Sequence, residues 1–89
     1  MIKVWHAVKP TFGLTAQSFP ADYELVAEVD TDDLDVAFER TNTIHGPWWE
    51  NESVLAIKQT RSTSVGDVLE VGDKHYKCEP IGWTELKLY

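Results

Sequence analysis

The densest concentration of groups able to do chemistry is the octet Arg61-Ser62-Thr63-Ser64-Val65-Gly66-Asp67-Val68. An arginine followed by three hydroxyls can gather an anion through charge-assisted hydrogen bonds, with Arg61, Ser62, Ser64 and Asp67 as the candidate binding residues. The same residues suit a tight corner. Serine and threonine hydroxyls satisfy backbone amides where a chain turns, Gly66 supplies unrestricted dihedrals, and Asp67 accepts from the loop. The corner is the preferred reading. The histidines His6, His45 and His75 are far apart in sequence and lack the i, i+4 spacing of a helical metal site, so no metal and no other cofactor is expected. The single cysteine, Cys78, excludes an internal disulfide and zinc sites built on paired thiolates. It falls on the apolar side of its segment, where a thiol is inert packing. Gly66, Gly72 and Gly82 follow no strand-to-helix pattern that would cradle a phosphate.

Two further features point to recognition. Trp48 and Trp49 are adjacent beside Pro47, so in an extended stretch their side chains diverge and one stays at the surface as a binding anchor. The alternative packs both over a helix. The net charge is -7, and its source is local: no Lys or Arg lies between Lys9 and Arg40, a stretch that holds eight acids. Asp22, Glu24, Glu28, Asp32, Asp35 and Glu39 are the candidate acidic face. Such a face repels phosphate backbones, which excludes ordinary nucleic-acid binding through it and suits a basic partner. A solvated strand and helix surface would carry the same acids.

These residues need elements to position them. Ile2, Val4 and Val8 alternate with Lys3, Trp5, Ala7 and Lys9, which predicts a strand over 2–8 ended by Pro10. Residues 10–22 form a loop held to the core by Phe12, Leu14 and Phe19. Tyr23, Leu25, Ala27 and Val29 alternate with Glu24, Val26, Glu28 and Asp30, predicting a half-buried strand with the first four on one face. Leu34, Ala37, Phe38 and Thr41 then recur at helical spacing, predicting a helix over 31–42 capped by Asp30 or Thr31. Val54 to Ile57 reads as a short extended segment. Gly72-Asp73 between Val68-Leu69-Glu70-Val71 and Lys74-His75-Tyr76-Lys77-Cys78 predicts a two-residue hairpin pairing Val71 with Lys74 and Leu69 with Tyr76. Leu86 and Leu88 lie in a last strand.

With 89 residues, 43% hydrophobic and 26% charged, the chain is expected to form one domain, 1–89, with one modest core. Trp5, Leu25, Val29, Leu34, Phe38, Leu69, Tyr76 and Leu86 are the core candidates. The expected class is α+β, a small mainly antiparallel sheet packed against one helix in the order β-β-α-β-β-β. The first strand or Val54–Ile57 forms an exposed edge through which a homodimer can pair. Apolar runs of only a few residues exclude a membrane-spanning helix, and no signal-peptide core is apparent, so a cytoplasmic protein is expected.

The octet, the Gly-Asp hairpin, the strand His75-Tyr76-Lys77-Cys78 and Ile81-Gly82-Trp83 together resemble the C-terminal half of YodL-like domains. Those domains show a Ser-hydroxyl-Ser-Val-(Gly/Ser)-Asp-Val signature, a tyrosine-bearing strand and a terminal Gly-aromatic. Ile2-Lys3-Val4-Trp5-His6 and Phe38-Glu39-Arg40-Thr41-Asn42 are similar too, so the likeness covers about two thirds of the chain. Trp83 stands where phenylalanine is usual, and 10–22 matches nothing. The resemblance implies a phage or mobile-element setting and supplies no catalytic residue. The reading that follows is a small phage-borne accessory protein in the host cytoplasm, a non-enzymatic module that binds a host or phage protein, with neither nucleic acid nor membrane as a direct partner. The alternatives are an acidic nucleic-acid mimic that blocks a DNA-binding protein and a small-ligand or anion-binding domain using Arg61–Ser64. A domain this small rarely encloses a ligand-sized pocket alone, which weighs against an enzyme.

Overall fold

The computed structural model describes residues 1–8, 19–42 and 46–86. Its elements run β1 (Ile2–Ala7), β2 (Tyr23–Val29), α1 (Leu34–Thr41), a 3-10 turn (Trp48–Glu50), β3 (Val54–Ala56), β4 (Val68–Val71), β5 (Lys74–Cys78) and β6 (Trp83–Leu86). The strands form one sheet in the order β3-β2-β1-β4-β5-β6, with every neighbouring pair antiparallel. The α+β class holds, but the order is β-β-α-β-β-β-β rather than β-β-α-β-β-β. The sixth strand arises because both Val54–Ala56 and Trp83–Leu86 find partners, on β2 and β5. The Phe12 and Leu14 contacts and the Leu88 end of the last strand lie outside the described residues.

The hairpin forms in the expected register, Val71 opposite Lys74 and Leu69 opposite Tyr76. Gly72 occupies φ +60, the left-handed region that such a turn requires and that a side chain resists. Strand β1 behaves differently from expectation. It lies between β2 and β4 and is no edge; β3 and β6 are the edges. Its central place comes from pairing with β2 on one edge and β4 on the other, while Ile2, Val4 and His6 are buried on the side that α1 covers.

Opposite β1, strand β2 carries an irregularity. Val4 pairs with Ala27 but Trp5 pairs with Leu25, so Val26 is an extra residue. Directly opposed residues share a face, and Val4 and Trp5 point to opposite faces; Ala27 and Val29 therefore line the helix side while Leu25 and Tyr23 line the other. The single face expected for these four residues is split by the bulge. On the helix side Ile2, Val4, Val26, Ala27, Val29, Ala37, Trp48, Val54 and Leu69 form the buried core, with Leu34 and Trp83 packed against it. On the other side Phe19 packs on Trp5, Tyr23 and His75, at ring separations of 5.1, 5.4 and 4.9 Å.

Helix α1 starts three residues later than its spacing suggested. Asp33, and neither Asp30 nor Thr31, is the cap: its carboxylate accepts from the amides of Asp35 and Val36 at 2.9 and 3.2 Å. The Thr31 hydroxyl instead accepts from the Asp33 amide in the preceding turn. The helix buries Ala37 and Thr41, while Leu34 and Phe38 are only half-buried. Leu34→Ala is accordingly expected to lower stability by about 1 to 2 kcal/mol, less than the ~2–5 of a fully buried leucine. Urea midpoints of variant and parent check it, and a loss at the upper end would place Leu34 deeper in the core than the fold does.

Candidate functional site

The octet is assembled where β1 ends, and elements distant in sequence converge on it. Arg61 lies at a bend in the connection between β3 and β4, and Asp67 stands just before β4. The two form a bidentate pair, Nη1 to Oδ2 at 2.6 Å and Nη2 to Oδ1 at 2.8 Å. Asp67 is buried, at 1% exposure. Its oxygens also accept from the backbone amides of Ala7 at 2.9 Å and Ser64 at 2.8 Å. Four donors thus converge on one carboxylate, which saturates its lone pairs. The guanidinium is committed as well, since it donates to the carbonyls of Ser62 and Ala7 and to the Ser64 hydroxyl at 3.1, 3.1 and 3.2 Å.

The rest of the corner is backbone. Gly66, at φ +96, donates to the Cys78 carbonyl at 2.8 Å, and its own carbonyl accepts from the Tyr23 hydroxyl at 2.7 Å. The Cys78 amide donates to the Asp67 carbonyl at 2.8 Å. Thr63, fully buried, donates its amide to the Thr41 carbonyl, while its carbonyl accepts from the Asn42 side chain at 2.5 Å. The octet therefore stitches the C-terminal end of α1 to β1, β2 and β5. Ser62 makes none of these bonds with its side chain.

His6 completes the cluster, and spacing arguments considered it only as a metal ligand. Its place two residues after Val4 in an alternating strand is the sequence signal for burial. The ring is 1% exposed; Nε2 lies 2.8 Å from the Thr63 hydroxyl, and Nδ1 has no hydrogen-bond partner among the described residues. Burial lowers its pKa from 6.5 to about 4, with the Arg61 charge acting in the same direction and Asp67 and Glu24 opposing. Asp67 Oδ2 stands 3.9 Å from Nε2, beyond hydrogen-bond reach. The hydroxyl-imidazole pair thus has no carboxylate on Nδ1 to orient it, and its atoms are sealed from substrate. Cys78 is buried, which pushes its thiol up to about 11 and away from thiolate chemistry.

Of the tryptophan pair, Trp48 lies within the core and Trp49 is packed half-buried against it. Trp48 is 2% exposed and its indole N–H donates to the carbonyls of Thr60 and Arg61 at 3.0 and 3.1 Å, so it serves the fold and is no surface anchor. Trp49 is half-buried and packs edge to face on Trp48 at 5.6 Å.

The six acids do not share a face. Glu28 opposes Lys3 and Glu24 opposes His6 on β1, placing the two glutamates on opposite sides of the sheet. Several are engaged within the fold: Glu24 binds Lys58 at 2.9 Å, Asp32 the terminal amino group at 2.6 Å, and Asp35 accepts from the Trp83 indole N–H at 3.0 Å. Asp22 and Glu39 are exposed. A sequence-local block disperses because a strand and a helix distribute neighbouring residues around their axes. Among the described residues, no three His, Cys, Asp or Glu side chains are close enough to hold a metal ion; His45 lies outside them. One open cleft, about 320 Å³, borders Glu28, Asp30, Glu52 and Leu55 and involves none of the octet. Among the described residues no helix is long and apolar enough to cross a membrane.

No family model, curated protein or solved structure matches the chain.

Proposed function

We propose that the chain is a non-enzymatic protein-interaction module, of the phage-borne cytoplasmic accessory kind that its YodL-like segments imply, and that Trp49 is the anchor of its binding surface. The observation that carries this reading is the division of labour in the tryptophan pair. Trp48 is locked by two carbonyls and by edge contact with His6 at 6.3 Å, so the Trp49 ring rests on a rigid support. A large aromatic already held in place loses little entropy on binding, which is what makes tryptophan effective at the centre of an interface. The octet supports the same reading from the other side, because Arg61 and Asp67 are spent on each other and on backbone groups and leave little with which to hold a ligand.

Affinity capture of a partner from host lysate at low and high salt tests it, with Trp49→Ala beside the parent. The parent is expected to retain its partner at both salts, since an apolar anchor is not screened, and Trp49→Ala to lose it at both while still melting cooperatively. A partner lost by the parent at high salt and indifferent to Trp49→Ala would replace this reading with the acidic mimic.

A further inference from the structure

Strand β3 is a sheet edge with a self-complementary pattern. The Asp30 amide donates to the Ser53 carbonyl and the Ile57 amide to the Val26 carbonyl, so Ser53, Leu55 and Ile57 direct their backbone groups at β2. Val54 and Ala56, between them, direct theirs outward. The Val54 amide is taken by the Asn51 carbonyl, which leaves the Ala56 N–H and C=O as the open pair of the edge. On either side of Ala56 stand two exposed apolar side chains, Leu55 at 62% and Ile57 at 53%. Exposed Glu52 lies before the strand and exposed Lys58 just after it.

We infer that β3 is the seam of a two-fold homodimer, in which Ala56 pairs antiparallel with Ala56 of a second copy and the two sheets join into one. Ala56 then exchanges N–H···O=C bonds with its counterpart. The register sets Leu55 of each chain opposite Ile57 of the other, so both exposed apolar residues are covered twice over. Lys58 is engaged by Glu24 of its own chain at 2.9 Å, so the apolar pairs rather than charge set the direction, since antiparallel pairing is what places Leu55 against Ile57. A second copy fits this edge better than an unrelated strand, because Leu55, Ala56 and Ile57 find their complement in the same three residues read backwards. The seam is short, so the dimer forms and dissociates with concentration.

The register is testable by cysteine trapping. Leu55 and Ile57 of opposite chains form a non-hydrogen-bonded pair, whose Cα separation of about 4.5 Å suits a disulfide, while like residues across the axis lie beyond the ~7 Å limit. Leu55→Cys and Ile57→Cys, oxidised with diamide, are expected to give little covalent dimer alone and several-fold more when mixed. Buried Cys78 stays out of the reaction. Light scattering of the unmodified chain is expected to show a mass rising with concentration from 10.1 kDa towards twice that, and Leu55→Lys to hold it at the monomer value. Cross-linking that is equal in single and mixed samples overturns the register. A mass constant at 10.1 kDa overturns the dimer.

Discussion

Asp67→Ala is expected to lower the unfolding free energy by about 3 to 5 kcal/mol, the cost of stripping one partner from a buried ion pair. The change leaves the Arg61 guanidinium beside an empty carboxylate site and orphans the amides of Ala7 and Ser64, three consequences of removing one side chain. A domain of this size holds only about 5 to 15 kcal/mol in total, so the variant should be marginal at room temperature. The neighbouring residues rank below it. Ser64→Ala loses one hydrogen bond to Arg61 and is expected to cost about 0.5 to 1.5 kcal/mol, whereas Ser62→Ala, whose side chain makes no bond, should stay within about 0.5. Guanidinium denaturation of the three variants checks the order. An Asp67→Ala protein as stable as the parent would mean that the carboxylate is held in tension for an outside ligand, and the anion-binding reading would return.

The second large effect is a loss of stability on mild acidification, traceable to His6. Its folded pKa of about 4 lies below the 6.5 of an unperturbed histidine. Between those values the unfolded chain takes up a proton that the folded protein refuses, so stability rises with pH across the window. It is complete above about pH 6.5, declines as the pH falls towards 4, and below that His6 contributes no further loss. A window of this width corresponds to roughly 3 kcal/mol at about 1.4 kcal/mol per pH unit. The cause is structural: the imidazolium would lie in a site almost closed to water, with the Arg61 charge adding to the penalty. His6→Leu removes the titration, so its urea midpoint should change much less than the parent's between pH 6.5 and 4.5. Parallel pH profiles for the two proteins would show that His6 is solvated in the native state.

The elements visible in the sequence are those whose determinants lie close together. The Gly72-Asp73 hairpin was legible to the register of its pairs, because a two-residue turn leaves no freedom in how its strands meet. The helix was legible from the spacing of Leu34, Ala37, Phe38 and Thr41, although its start lies past both expected caps, Asp30 and Thr31, at Asp33, whose carboxylate reaches the free amides. The corner reading of Arg61–Asp67 was likewise available, since arginine, hydroxyls, glycine and aspartate in that order describe a turn that satisfies itself.

Which strand becomes central cannot be read from local pattern. Residues Ile2–Ala7 have the alternation of a half-buried edge, yet they pair on both sides, because a backbone edge is covered or left open by strands 20 and 60 residues away. The bulge at Val26 is decided in the same manner: alternation along β2 is continuous in the sequence, and only pairing with β1 and with the Ile57–Lys58 amides moves Tyr23 and Leu25 to the far face. The candidate site follows from these tertiary choices. His6, Ala7, Arg61 and Asp67 meet because β1 runs beside β4, and the meeting converts an octet that could have held an anion into one whose charges are spent on holding the chain. Local chemistry determined which groups were present; burial and long-range pairing, which no short stretch encodes, decided which of them remained open to solvent.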